Sequence, residues 1–147
     1  MAGGSIAMKS MSARSFLDTN VLVYSDDKSA PGKQRRALQL IAEHRRARTG
    51  VVSLQVLQEY FVTITRKLGV DPAIARRKVE LAAEFDVAAA ELADILAAID
   101  LHRLHKISFW DALVLRCAKQ SGCSVLLSED MQATRVIDGL QIVNPFL

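Results

Sequence analysis

Short apolar runs alternate along this chain with longer stretches in which apolar residues recur every three or four positions. The short runs, at residues 16–17, 49–53, 124–128 and 140–146, with a brief one at Val87, predict buried strands. The longer stretches predict helices at about residues 32–46, 54–68, 72–85 and 89–105, and a last helix between Ser108 and Gly122. This alternation predicts the α/β class, with a short parallel sheet and helices on both faces.

The apolar stripe of each helix predicts the face that meets the core. In the helix at 89–105 the predicted inward residues are Leu92, Ile95, Leu96 and Ile99. In the last helix they are Trp110, Leu113, Val114, Cys117 and Ala118. The helix at 54–68 has a stripe of its own but is apolar beyond it, at Val56, Tyr60 and Val62. A second apolar face predicts that this helix is shared with a partner, so we expect a homodimer.

A length of 147 residues, half of them hydrophobic, suits one domain with its own core. We expect residues 14–147 to form that domain and residues 1–13 to be a flexible leader, with Met8 and Met11 as alternative starts. No run approaches the roughly 18 uninterrupted apolar residues of a membrane helix, and the leader lacks the apolar segment of a signal peptide. These features predict a cytoplasmic protein without membrane contact. Two cysteines are too few for a disulfide framework or a zinc site.

Lysine and arginine number 19 against 16 acids, for a net charge of +3. If several of the acids share one site, the outer surface is basic, which suits a polyanion held beside a cation-loaded pocket. Basic helix faces are also typical of plain solvation. The arginines that we consider for contact with RNA phosphates are Arg35, Arg36, Arg76, Arg77 and Arg116.

The first strand ends in an acid, Asp18, which is followed by Thr19 and Asn20. In open α/β sheets ligands bind beyond the carboxyl ends of parallel strands, at the point where the strand order reverses. Asp18 is therefore a candidate metal ligand, although Asp-Thr-Asn is also ordinary turn and helix-capping chemistry. The strand at 124–128 repeats this pattern, since it ends in Ser128 and is followed by Asp130. Two parallel strands ending in this way would bring Asp18 and Asp130 together.

Two further acids lie on predicted helices. Asp111 follows Ser108 by three residues, in the first turn of the last helix, where the helix dipole favours a negative charge. Its role as a capping carboxylate is compatible with a place at the mouth of the sheet. Glu59 lies almost opposite the apolar stripe of its helix, so it is either a surface residue or directed into a cleft. Together with Asp18 and Asp130, these residues give four candidate acids.

Several carboxylates packed together raise one another's pKa, and a hard divalent cation relieves that cost. Oxygen-only ligands suit Mg²⁺ or Mn²⁺ better than zinc. Such ions activate water and assist in-line displacement at a phosphodiester. The sequence has no phosphate-binding glycine loop, dinucleotide fingerprint or nucleophilic triad that would suggest another chemistry.

In these motifs the chain resembles the PIN-domain ribonucleases, and among them the VapC-type toxins of bacterial toxin–antitoxin pairs. The resemblance covers residues 14–147 and depends on residues 16–24, the helix of Glu59, residues 108–112, and residues 128–130 with the terminal 144–146. It implies a Mg²⁺- or Mn²⁺-dependent endoribonuclease whose metal-binding and catalytic residues are Asp18, Glu59, Asp111 and Asp130. It also implies support of the site by Asn20 and Ser128, a homodimer, and a cognate antitoxin that blocks the cleft.

Three other functional hypotheses compete with that of a ribonuclease. A catalytically silent PIN-like module that binds RNA or protein is the main alternative, although the complete acidic quartet argues against it. A structure-specific DNA nuclease on the same fold is disfavoured because the chain lacks room for large insertions that grip duplex ends. A phosphatase with an aspartyl nucleophile needs Asp-x-Asp after the first strand, and Asn20 stands at the second position.

Overall fold

A computed structural model of the chain describes residues 13–131 and 135–147. The predicted leader, 1–13, lies outside these residues except for Ala13. The strands are β1 (Ser15–Leu17), β2 (Gly50–Ser53), β3 (Asp86–Ala88), β4 (Val125–Leu127), β5 (Val136–Ile137) and β6 (Leu140–Val143). The helices are α1 (Thr19–Tyr24), α2 (Pro31–Ala47), α3 (Leu54–Arg66), α4 (Pro72–Ala82), α5 (Leu92–His105) and α6 (Phe109–Gln120).

The strands form one sheet in the order β3-β2-β1-β4-β6-β5, parallel except for β5. The α/β prediction, with helices on both faces of a mostly parallel sheet, is confirmed. The chain builds outward from β1 through β2 to β3 and then returns to place β4 on the other side of β1. Leu17 pairs with Leu127 in this register, so the carboxyl ends of β1 and β4 lie side by side. This reversal of strand order creates the crevice in which α/β sheets usually bind their ligands.

The strand β5 was missed by the apolar pattern because it has only two residues. It forms an antiparallel hairpin with β6, in which Ile137 pairs with Leu140. Asp138 and Gly139 form the two-residue loop with φ of 54° and 80°. Asp-Gly is a favoured pair for such left-handed hairpin turns, and this dipeptide is the signal that would have predicted the strand.

The last helix meets the core through most of its predicted stripe, because Leu113, Val114, Cys117 and Ala118 are buried. Trp110 was placed on that stripe wrongly, since it is 62% exposed. The prediction for α5 was also wrong, because this helix packs through Asp94 and Ala98 against α6 and leaves its apolar stripe outside. The outward residues of α5 are Leu92, Ile95, Leu96 and Ile99.

The helix α3 is apolar on more than one side, as the sequence indicates. Its buried residues are Val56, Leu57, Tyr60 and Ile64, whereas Leu54 at the start of the predicted stripe is half exposed. Ser53, the last residue of β2, caps the helix by accepting a hydrogen bond from the backbone N–H of Val56 at 3.2 Å. In the described part of the chain, no helix combines the length and apolar character needed to cross a bilayer.

Candidate active site

Asp18 is the first residue after β1 and the N-cap of α1. Its Oδ1 accepts a hydrogen bond from the backbone N–H of Thr19 at 2.8 Å, and its Oδ2 accepts one from the Ser128 hydroxyl at 2.7 Å. Burial raises the pKa of Asp18 to about 6, against the opposing effect of these two hydrogen bonds. The charges of Asp130 and Glu59 raise it further. Asp18 is thus a rigidly held carboxylate in an environment that disfavours its charge.

The segment after β4 supplies the second wall of the crevice. The Asn20 side chain donates hydrogen bonds to Oδ2 of Asp130 at 3.1 Å and to Oγ of Ser128 at 3.3 Å. Its own oxygen accepts from the backbone N–H of Glu129 at 3.1 Å. Asn20 therefore joins α1 to the 128–130 segment and holds Asp130 near Asp18. These contacts are consistent with the supporting roles expected for Asn20 and Ser128.

Glu59 reaches the same crevice from α3, although it projects from the solvent-exposed side of that helix. Its Oε2 accepts a hydrogen bond from the Thr19 hydroxyl at 3.0 Å, and its Oε1 accepts one from the Gln55 amide at 2.7 Å. Sequence reasoning did not identify Thr19 or Gln55 as supporting residues. The available signals were the position of Thr19 between Asp18 and Asn20, and the spacing of four between Gln55 and Glu59, which places them on one helix face.

Asp111 enters from the first turn of α6. The hydroxyl of Ser108, the N-cap, accepts a hydrogen bond from the Asp111 backbone N–H at 3.0 Å. Burial raises the pKa of the Asp111 carboxyl, and the charges of Asp130 and Glu59 add to this effect. Since the same two acids also raise the pKa of Asp18, the structure brings all four predicted acids into one electrostatic neighbourhood.

The four acids lack a cationic partner in residues 13–131 and 135–147, where every ion pair uses another carboxylate. Their oxygen donors fit a hard divalent cation such as Mg²⁺ or Mn²⁺. Among the described residues, however, no three groups are already close enough together to hold a metal ion. Glu59 and Asp130 are exposed, and each is held by the hydrogen bonds described above, as Asp18 is by its own.

A polar cluster that sequence reasoning did not predict braces this segment from behind. Glu129 accepts hydrogen bonds from the Tyr24 hydroxyl at 2.6 Å and from the Lys33 ammonium group at 2.7 Å. The Tyr24 ring also packs edge-on against Phe146, with centroids 4.9 Å apart. Glu129 lies between Ser128 and Asp130. The cluster therefore ties α1, α2 and the segment of Phe146 to the segment that carries these two site residues.

The five arginines considered for RNA contact differ in their surroundings. Arg116 forms an ion pair with Asp94 at 2.9 Å, so its side chain already has a carboxylate partner. Arg76 and Arg77 both pair with Glu80, and Arg36 donates to the Pro145 carbonyl. Arg35 is exposed and takes part in no ion pair within the described residues. Phosphate contact by any of these arginines stays a prediction.

The strand order and the carboxylates at its switch point define a small α/β domain with an acidic crevice. The model of the family described as PIN domain matches residues 15–138, so the chain belongs to the PIN domain family. This confirms the family expected from the motifs. No curated protein matches the sequence.

Two solved structures share the fold. The first is Mycobacterium tuberculosis VapC20, described as a toxin that cleaves the sarcin–ricin loop. It is 20% identical to this chain, and the two superpose with a TM-score of 0.65. The match covers 79% of this chain and 91% of the VapC20 chain. The second is a toxin–antitoxin complex from Klebsiella pneumoniae, in which the matched chain is 18% identical over 89% of this chain and 97% of its own, with a TM-score of 0.64. At these identities the likeness concerns the fold alone.

Proposed function

We propose that this protein is a metal-dependent endoribonuclease and the VapC-type toxin of a toxin–antitoxin pair. The observation that carries the proposal is the meeting of Asp18, Glu59, Asp111 and Asp130 at the switch point of a PIN domain, without a neutralising cation within the described residues. The fold shared with a toxin described as cleaving RNA supports RNA as the substrate class. The fold shared with a chain of a toxin–antitoxin complex supports an antitoxin as partner. We expect the protein to act in the cytoplasm.

The carboxylates of Asp18, Asp111, Glu59 and Asp130 would hold Mg²⁺ or Mn²⁺, which when bound supplies activation of water and stabilisation of charge at the phosphodiester. Asp18 provides the fixed ligand, because Thr19 and Ser128 already orient both of its oxygens. Asn20 holds Asp130 on one side of the crevice, and Thr19 holds Glu59 on the other. The proposed ligands thus come from the start of α1, from α3 and α6, and from the segment after β4.

The substitutions Asp18→Asn and Asp111→Asn test the proposal. Each removes one charge from the acidic cluster without changing side-chain size, so we expect the fold to persist. Loss of a metal ligand should lower cleavage of single-stranded RNA by at least about 100-fold, since even residues that only support metal ligands often contribute 10–100-fold. Cleavage in Mg²⁺, its loss in EDTA, and metal affinity by calorimetry are the measurements.

Exposed Asp100→Asn on α5 is the matched control and should cleave like the native protein. Undiminished cleavage by Asp111→Asn would remove Asp111 from the site. A native protein that binds RNA but never cleaves it, with either Mg²⁺ or Mn²⁺, would support the alternative, a silent PIN-like binding module.

We also propose that the protein is a homodimer. Two apolar surfaces remain uncovered: the outward stripe of α5, and a groove of about 810 Å³ between α3 and α4. The groove is lined by Leu57, Phe61, Val62 and Val79 among others. A twofold contact can cover one such surface on each of two identical chains. Light scattering at micromolar concentration should give twice the chain mass, and a monomeric native protein would contradict this. If the α5 stripe forms the contact, Leu96→Glu should reduce the mass to that of one chain.

A further inference from the structure

Trp110 is the single tryptophan of the chain and directly precedes Asp111 on the first turn of α6. Its side chain is 62% exposed. A tryptophan ring can bury 150–250 Å² and usually supplies much of the energy of a core or an interface. The chain therefore leaves its largest apolar side chain in solvent, next to a carboxylate of the acidic site.

The ring has an aromatic neighbour that is itself part of the packed structure. The Phe109 ring packs against it at an interplanar angle of 73°, with centroids 5.1 Å apart, and Phe109 itself packs against the core. At the end of α5 the backbone N–H of Lys106 donates to the His102 carbonyl at 3.0 Å. The His102 ring also contacts the carbonyl of Ile107. The Phe109 contact thus supports the ring on one side and leaves the rest of it open to a ligand.

Two cationic residues precede Trp110 closely in the sequence. Arg103 and Lys106 are both exposed, and neither forms an ion pair with any residue of the described ranges. The cationic side chains of Arg76, Arg77 and Arg116, in contrast, already have carboxylate partners. An exposed aromatic ring beside unpaired cations is the combination by which proteins hold single-stranded nucleic acid, through stacking and phosphate contact.

We propose that Trp110 is a substrate-positioning residue that stacks on a base of single-stranded RNA beside the acidic site, with Arg103 and Lys106 on neighbouring phosphates. This inference rests on the proposed function, because it places RNA at that site. The neighbours of Trp110 favour RNA over a protein partner. The centre of a protein interface is depleted in charged residues, whereas Trp110 stands next to Asp111 and close in sequence to Lys106 and Arg103.

Tryptophan fluorescence tests the proposal directly, since all tryptophan emission comes from Trp110. The full chain carrying Asp18→Asn, in Mg²⁺, is titrated with a twelve-nucleotide single-stranded RNA and, separately, with inorganic polyphosphate of similar length. We expect saturable quenching by the RNA and none by polyphosphate, because only the RNA has bases. RNA that binds, as seen by the polarisation of a label on it, without altering the emission would overturn the proposal. So would emission that changes with protein concentration in the absence of RNA, because Trp110 would then lie at a protein interface.

Variants in the otherwise native chain give the second readout. Trp110→Ala should raise KM for cleavage by about 5- to 150-fold, the range expected for the loss of one stacked base, and leave kcat nearly unchanged. Trp110→Phe should recover most of the loss, and Leu38→Ala, a comparably exposed apolar residue on α2, should have no effect. An unchanged KM in Trp110→Ala would refute the inference while leaving the ribonuclease intact. If RNA quenches the emission but the native chain never cleaves that RNA, the proposed function is refuted and the stacking of RNA on Trp110 stands. Failure to bind RNA at all would refute both.

Discussion

Asp18 and Asp26 lie eight residues apart at opposite ends of α1, and both carboxylates are largely buried, yet their surroundings differ. The Asp26 carboxylate accepts a hydrogen bond from the Lys78 ammonium group at 2.7 Å and another from the Tyr60 hydroxyl. Burial and this hydrogen bond raise the pKa of Tyr60, which therefore stays a neutral donor. Among residues 13–131 and 135–147, Asp18 receives hydrogen bonds only from neutral donors, and it faces the charges of Glu59 and Asp130.

The difference separates a structural acid from a candidate metal ligand. A buried carboxylate with a cation and a hydroxyl around it is neutralised within the fold, and the Asp26 cluster joins the end of α1 to α3 and α4. A buried carboxylate without a cation keeps a charge that the fold itself destabilises. Asp18 carries that cost at the mouth of the sheet, where a divalent cation from solvent would relieve it. The unpaired member of the two is therefore the candidate ligand.

The largest expected effect concerns the pH dependence of stability in the metal-free protein. The folded pKa of Asp18 is about 6, above its ordinary value of 3.8. Between these pH values the folded state retains a proton that the unfolded state has lost, so this group's contribution to stability falls as pH rises through the window. The total is about 3 kcal/mol. Urea unfolding in EDTA should therefore show that the free energy of unfolding of Asp18→Asn, relative to that of the native protein, rises by up to this amount from pH 4 to pH 7. A difference between the two proteins that does not change with pH would contradict the environment assigned to Asp18.

The next effect comes from breaking the Asp26 cluster, in which Lys78 and Tyr60 donate hydrogen bonds to Asp26. Lys78→Met removes the cation but keeps the aliphatic stem, and it leaves Asp26 buried without its counter-charge. Loss of one partner of a buried ion pair costs 3–5 kcal/mol. Because a third of the Lys78 side chain is exposed, we expect a loss of about 2 kcal/mol in the free energy of unfolding. Cleavage at 25 °C should be unchanged. Arg77→Met, at the preceding and more exposed position, is the control and should cost little stability.

The smallest effect sharpens the account of Asp18. The Ser128 hydroxyl lowers the pKa of Asp18 through its 2.7 Å hydrogen bond, against the effect of burial. Ser128→Ala should therefore move the acid limb of the cleavage pH profile upward by about one pH unit, the value of one hydrogen bond to a charged group. Ser124→Ala, an exposed serine just before β4, should leave the profile in place. If the variant cleaves more slowly at all pH values but the acid limb of its pH profile does not shift, then Ser128 only positions the Asp18 carboxylate and does not set its pKa.

The sequence by itself determined the alternation of strands and helices, and with it the parallel sheet and the acids at its carboxyl edge. These are local properties: an apolar run that ends in Asp18 is visible in a window of ten residues, and so is the Ser108 cap before Asp111. Parallel pairing then forces the ends of neighbouring strands to one edge, so the meeting of Asp18 with the segment of Asp130 follows from topology.

Only the tertiary structure decided which face of a helix meets the core. The stripe of α5 is apolar, yet the helix packs on α6 through Asp94 and Ala98, because the ion pair of Asp94 with Arg116 and the small side chain of Ala98 allow close approach there. The same holds for Asp26, whose partner Lys78 is 52 residues away, and for Trp110, which helical spacing placed inside and packing left in solvent. The spacing of residues along the chain shows that a helix face is apolar. Whether that face packs against the core depends on the elements that the rest of the chain places beside it.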